Sequence, residues 1–247
     1  RTSMTFIESV KGDANKITLK KYGPPSPELL ITDQNCINIT FLDTETTGLI
    51  PSRFPRIASN LEKYPYIVQL SYIVYDTDTH KILHEQDDII RLPDDVEIPE
   101  DSIAVHGITK KLSKNRGIHI DSALEIFSLY VKQCQCVVAH NIDFDMTMID
   151  VECIRTGINY PFTSEKIYYC TMNKTKDLCN IVRKFRNIGP NGQVRMESYV
   201  KKPTLNELHV HLFKRSPKGL HDALIDVRVC LRCFLKVVYN IDYGFSA

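Results

Sequence analysis

The stretch Asn38-Ile-Thr-Phe-Leu-Asp-Thr-Glu-Thr-Thr-Gly-Leu49 passes from apolar to acidic without a linker. Phe41 and Leu42 read as buried strand, with Asp43 and Glu45 two residues apart at its end and Gly48 breaking the run. Side chains two apart in a strand leave the same face, so these carboxylates meet at short range and repel. A solvated turn at the strand end would tolerate that. So would a divalent cation held between them, and the rest of the chain has to choose.

Outward from this strand the pattern is mixed α/β. YIVQLSYIVYD, rich in β-branched and aromatic residues, reads as a second strand, and HKILHEQDDII pairs with it as a hairpin after a turn at 77–79. IPEDSIAVHGIT begins a short helix with Pro99 at its start. DSALEIFSLYVKQC reads as an amphipathic helix capped by Asp121, CVVAHN as a fourth strand, and DFDMTMIDVECIRTG as a helix ending at Gly157. TLNELHVHLF and LHDALIDVRVCLRCFLKVVYN are closing helices. A three-strand meander followed by helix, strand and helices implies a mixed β-sheet with helices on its faces, not a β-sandwich.

Two segments interrupt this order. Residues 51–65 carry three prolines and form a polar connection, either a lid or an inert insertion. Residues 160–203 read as irregular and basic. Between 174 and 202 eight Lys and Arg face only Asp177 and Glu197, on a stretch punctuated by Gly189, Pro190 and Gly192. Tyr168, Tyr169, Phe185 and Tyr199 interleave with these bases, as positive grooves with stacking aromatics do when they bind single strands. Lys184 and Arg186 are therefore candidate substrate contacts. Residues 1–35, with YGPPSPELL, are expected to be an N-terminal extension, partly extended or mobile, ahead of a domain over 36–247.

The bulk numbers leave the function to these local features. The chain has 247 residues and a formal net charge of +1, so any attraction to a polyanion must come from a local basic surface. No run approaches a transmembrane helix, and the first residues resemble neither a secretory signal nor a transit peptide. Eight cysteines show no framework of pairs, which implies reduced thiols in a soluble intracellular protein, cytoplasmic or nuclear. Cys230 and Cys233 form a C-x-x-C one helical turn apart, but zinc wants four ligands and no second Cys/His pair lies near. They read as small core residues.

Two further acidic segments sit at boundaries like the first. In AHNIDFD, Asp143 and Asp145 lie in the first turn of a helix, near its positive dipole end, and point in different directions. At most one of them faces the first pair. In HDALIDV, His221 and Asp226 are five apart on a helix, sharing a broad face a turn or more apart along the axis. Carboxylates from three segments with one histidine are the parts that two-metal phosphodiester hydrolysis requires.

FLDTETTGL, AHNIDFD and HDALIDV, in this order, resemble the three exonuclease motifs of the DnaQ-like DEDDh family of 3′–5′ exonucleases, over about residues 37–238. VHGIT and KKPTLNELHVHLF match as softer features. The resemblance implies a ribonuclease-H-like fold and release of nucleoside 5′-monophosphates with two Mg²⁺, for which Mn²⁺ would substitute. It implies that Asp43, Glu45 and Asp226 hold one ion and Asp43 and Asp145 the other. Asp145 is the match rather than Asp143 because it follows the aromatic residue. His221 matches the general base.

By the same resemblance Thr46, Thr47, Gly48 and Leu49 hold the 3′-terminal nucleotide, by backbone contact and an apolar wedge. His106, Asn141 and Phe144 match positions lining that pocket. The DTETTG form is closest to polymerase proofreading members, which favours DNA over RNA and would make the polymerase a separate chain. An exoribonuclease remains the alternative. A non-catalytic end-binding subunit of a polymerase complex is a second, but it would have lost one of the four carboxylates or the histidine, and all five are present.

Overall fold

The structure, a computed structural model, describes residues 4–8, 18–22, 38–51 and 58–245. The expected extension over 1–35 lies largely outside them. Its described parts, β1 (Met4–Glu8) and β2 (Thr18–Tyr22), pair with each other antiparallel.

The main sheet grows from β3 (Asn38–Thr46), the strand of the opening stretch. β3 pairs antiparallel with β4 (Ile67–Asp76), which pairs antiparallel with β5 (Lys81–Ile89). On the other side of β3 run β6 (Cys136–Ala139) and then β7 (Ile167–Cys170), both parallel to it. The order is β5-β4-β3-β6-β7, so the acidic strand is the centre of a mixed five-stranded sheet. β7 was not legible as a strand. It is four residues long, and its Tyr168 and Tyr169 are buried in the core rather than offered to a ligand with the neighbouring bases.

Alternation along β3 distributes its side chains between two cores. Leu42 packs with Leu70 and Tyr72 under α3 (Ile120–Gln133) and α4 (Ile142–Thr156). Ile39 and Phe41 pack on the opposite face under α7 (Leu205–Phe213) and α8 (Ala223–Tyr239). Phe234 of α8 meets Phe41 and Tyr169 edge-on, with ring centres 5.3 and 5.0 Å apart. Truncating such a ring costs about 3–5 kcal/mol. Cys230 and Cys233 lie in this core, 2% and 0% exposed, and the described cysteines are free thiols.

The short helices α1 (Glu100–His106) and α2 (Lys110–Arg116) lie between β5 and α3. α3 starts after His119 rather than Asp121, whose carboxylate instead accepts from the adjacent Ser122 amide. In the 51–65 connection residues 52–57 lie outside the described residues, and Ala58–Lys63 form a 3₁₀ turn. Its far end is fixed: the Arg155 guanidinium donates to the carbonyls of Leu61, Tyr64 and Pro65 and stacks on Tyr66.

The basic 174–202 stretch is no loop. Two single-turn helices, α5 (Thr171–Lys174) and α6 (Lys176–Cys179), lead into an antiparallel hairpin of β8 (Ile181–Ile188) and β9 (Val194–Lys201). The Gly189–Gln193 turn, with Gly192 at φ +73°, closes it. Bases fall on both of its faces and mask the period-two pattern.

Candidate active site

The site forms at the C-terminal end of β3, where ligands of open α/β sheets characteristically lie. Asp43 and Glu45 continue the Phe41 face and so point toward α8, while Thr44 continues the Leu42 face toward α4. The strand ends in a register shift between Glu45 and Thr46, which frees the next residues from the ladder.

Each helix delivers one carboxylate to this strand end. Asp145 stands in the first turn of α4, only 2% exposed. Its Oδ1 accepts from both the amide (3.0 Å) and the hydroxyl (2.8 Å) of Thr44. Asp143 is exposed instead, and the positive charge of Lys202 acts on it. The start of α4 is set by Asn141, held in the left-handed region at φ 72°. A non-glycine residue rarely adopts that conformation, and such strain concentrates at functional sites.

Asp226 is delivered by the first turn of α8, whose N-cap is Asp222. The Asp222 carboxylate accepts from the Leu224 and Ile225 amides. His221 is therefore not a helical residue, as the sequence spacing implied. It precedes the cap with φ 73°, and its backbone N–H donates to Asp226 Oδ2 at 3.2 Å. Gly219 makes this reversal possible: its φ is +76°, and a Cβ there would come within 2.6 Å of Ile225. The turn brings ligand atoms of Glu45, His221 and Asp226 within 4.8 Å of one another. A continuous helix would have kept His221 and Asp226 apart.

The electrostatics follow from crowding. Burial, and then Asp145, Asp226, Glu45 and Asp222 in that order, push the Asp43 carboxyl well above the usual carboxylate range. Burial and the neighbouring acids raise Glu45 to about 8. Burial lifts Asp145 to about 7 against the opposing Thr44 hydrogen bonds, and lifts Asp226 to about 6 against the His221 amide. Asp226 Oδ1 is buried without a partner. No cation opposes the rise at Asp43, Glu45 or Asp145, and only His221 does so at Asp226.

Beside them lies a cleft of about 370 Å³, lined by Thr44, Glu45, Thr46, Gly48, Leu49, Asp101, Ser102, Val105, His106 and Phe144. Leu49 lines it and stands 87% exposed. The turn behind it is pinned on several sides. Thr47 exchanges hydrogen bonds with Tyr66, Ser102 donates to the Thr47 carbonyl, and Thr46 Oγ1 donates to the Gly48 carbonyl. A Cβ on Gly48 would meet nothing within 4 Å, so the fold itself does not require glycine there. Burial lowers the His106 pKa, against an opposing backbone hydrogen bond with Thr46.

Of the residues singled out from sequence, Asp43, Glu45, Asp145, Asp226 and His221 gather at one strand end. Thr46, Gly48, Leu49, His106 and Phe144 line the adjoining cleft. Thr47 supports it from behind, and Asn141 shapes the start of α4. Lys184 and Arg186 are elsewhere, on the exposed hairpin. Sequence reasoning missed Thr44, which orients Asp145, and Asp222, which caps α8 and adds charge. A threonine between two acids carries no signal until α4 is docked on it.

The model of the RNase T family, described as Exonuclease, matches residues 40–234. A search of curated protein sequences returned no match. Among solved structures, the nuclease domain of 3′hExo, described as a DEDDh family member bound to rAMP, superposes with TM-score 0.58 at 14% identity, covering 85% of this chain and 96% of that one. Exonuclease I from Methylocaldum szegediense gives TM-score 0.58 at 17% identity, covering 83% and 42%. E. coli Exonuclease I with a dA16 oligonucleotide gives 0.54 at 15%, covering 81% and 41%. This chain thus spans less than half the length of the Exonuclease I chains, and the likeness lies in a ribonuclease-H-like fold. With the family model spanning all three acidic motifs, the chain belongs to the exonuclease family of DnaQ-like DEDDh nucleases.

Proposed function

We propose that the protein is a metal-dependent 3′–5′ exonuclease that releases nucleoside 5′-monophosphates from a single strand, DNA in preference to RNA. The observation that carries this is the meeting of Glu45, Asp226 and His221 with Asp43 and Asp145 crowded against them, beside a cleft lined by an exposed leucine. Divalent ions are the family's usual cofactors. The donor set suits them: oxygen ligands crowded into mutual repulsion, with one carboxylate oxygen buried and unpartnered. Asp43, Glu45 and Asp226 would hold one ion and Asp43 and Asp145 the other, both Mg²⁺, with Mn²⁺ able to substitute. When bound, such ions offset charge on the scissile phosphate and on the oxygens entering and leaving it.

The chain's own groups do the rest. His221 takes the proton of the attacking water at a ring nitrogen, and its place outside α8 leaves the ring exposed to receive it. Thr44 fixes the rotamer of Asp145. The Thr46–Leu49 turn and Phe144 receive the terminal nucleotide. Leu49 wedges against its base, and the empty space over Gly48 admits its backbone. His106 stands at the pocket wall, and Asn141 sets the turn from which Phe144 and Asp145 project.

The lean toward DNA rests on the DTETTG form. An exoribonuclease is the second reading, favoured by the rAMP-bound nuclease among the structural neighbours. Free thiols throughout the described core favour a reducing, intracellular setting, and proofreading would pair the enzyme with a polymerase on another chain. Among the described residues no helix is long and apolar enough to cross a membrane. Matched 5′-labelled DNA and RNA strands, incubated with Mg²⁺, with Mn²⁺ and with chelator, test this reading. The expected result is a one-nucleotide ladder shortening from the 3′ end, faster on DNA and abolished by chelator. Absence of a ladder on both strands would overturn it.

A further inference from the structure

The β8–β9 hairpin has two chemically different faces, and the register separates them. Paired residues of an antiparallel ladder share a face. The pairs Arg183–Tyr199, Phe185–Glu197 and Asn187–Arg195 therefore define one face, and Val182–Val200, Lys184–Ser198, Arg186–Met196 and Ile188–Val194 the other. On the first, Phe185 and Tyr199 stand edge to face with ring centres 5.9 Å apart, 42% and 52% exposed. Asn187 holds Glu197, the hairpin's one acid, at 2.7 Å. Arg183 and Arg195 are exposed and make no ion pair among the described residues. The second face is aliphatic, with Val182, Ile188, Val194 and Met196 all about half exposed or more.

The hairpin is anchored at the rim of the active site. Lys201, at its foot, pairs with Glu207 at 2.7 Å, and Glu207 closes the capping box of α7 with Thr204. His140 Nε2 donates to the Pro203 carbonyl at 3.1 Å, and the next residue, Asn141, caps the helix that carries Asp145. Lys202, between these anchors, acts on Asp143 in the same helix turn. These contacts tie the foot of the hairpin to the start of the helix that carries Asp145.

We propose that the Phe185/Tyr199 face, flanked by Arg183 and Arg195, is a stacking platform for the bases of the single strand upstream of the 3′ end. Flat exposed rings beside unpaired guanidinium groups suit a polyanion with π faces, and stacking accepts any base. The second face carries Lys184 and Arg186 among its aliphatic side chains but no ring, so it offers charge without a stacking surface. The sequence reading already counted Phe185 and Tyr199 among its stacking aromatics, but it took Lys184 and Arg186 as the charged contacts. Those two lie on the opposite face and add only to the general positive field.

The inference rests on the exonuclease reading for its polarity, so the test measures binding without cleavage. Fluorescent single-stranded DNA of about 20 nucleotides, longer than the ~4–16 nucleotides that single-strand folds occupy, is titrated in chelator. Phe185→Ala with Tyr199→Ala should weaken binding by about tenfold or more, and salt should not abolish the difference. Phe185→Trp with Tyr199→Trp, which keeps flat rings, should retain binding. Val182→Ser with Met196→Ser should stay within about twofold, since no base stacks there. The proposal is overturned if the alanine pair binds like wild type, if the tryptophan pair fails equally, or if the Val182/Met196 pair weakens binding as much. A wild type that cleaves no strand but shows this binding pattern would sink the catalytic reading and leave the platform standing.

Discussion

The strand end and the hairpin handle charge in opposite ways. At the strand end, like charges are driven together by packing: β3, α4 and α8 each present a carboxylate because their apolar faces have to meet there. The repulsion is offset only partly, by Thr44 and by the His221 amide. On the hairpin, like charges are spread over exposed strands with almost no burial to hold them. Buried repulsion stores a demand for a compact, highly charged ligand and fixes where it sits. Exposed repulsion attracts a long, oppositely charged one and fixes little. The first region should therefore respond to single-atom changes by losing chemistry, and the second by losing affinity.

Removing a metal carboxylate should have the largest effect. Asp43→Asn should lower kcat by well over the ~100-fold that outer-shell losses cost at metal sites, because both ions would lean on that side chain. Strand binding in chelator should survive. His221→Ala should cost about 10²–10⁴ in kcat with little change in binding, measured by single-turnover cleavage against affinity. Equal loss in both would make His221 a structural residue.

Thr44→Val tests whether orientation matters as well as charge. It removes the hydroxyl donor to Asp145 but keeps the strand and nearly the volume, and should weaken Mn²⁺ affinity by about 10–100-fold. Gly48→Ala separates fold from function in another way. Its Cβ meets open space, so thermal stability should hold while KM rises. Smallest of all, Lys184→Ala and Arg186→Ala should weaken binding uniformly across sequences, each lowering the salt slope by about one. A base-dependent loss there would blur the division between the two faces of the hairpin.

The stored repulsion also has a pH signature. Asp226, Asp145 and Glu45 carry folded-state pKa values of about 6, 7 and 8, above the ordinary 3.8 to 4.5. Groups raised on folding favour the folded state at low pH and lose that contribution as pH rises through the folded values. Metal-free protein should therefore lose Tm as pH rises from about 4 toward 8. Added Mn²⁺ should remove the slope, since bound carboxylates no longer need protons. A metal-free Tm that climbs over the same interval would show that the repulsion is not there.

Much of the site was legible because each motif is short and contiguous, and each sits where a strand ends or a helix begins. Asp43, Glu45, Asp145 and Asp226 announce themselves by breaking an apolar pattern. What escaped depends on contacts distant in sequence. Thr44 means nothing until Asp145 arrives from 101 residues away. The position of His221 depended on Gly219 and on Asp222 taking the cap, so helical spacing put it on the wrong side of the helix start. The sheet was legible from its long strands, but β7 was too short to read, and the hairpin's alternation was hidden by bases on both faces. Tyr168 and Tyr169 lie a few residues from those bases, yet they belong to the core.

The central claim is that the acids at the end of β3 are brought together to hold divalent ions. Calorimetric titration of Mn²⁺ into the wild type and Asp43→Asn, each saturated with a nucleoside 5′-monophosphate, tests it most directly. The account expects two ions per wild-type chain and loss of both in the variant. Wild-type protein that binds none, or a variant that binds both as tightly, would contradict it.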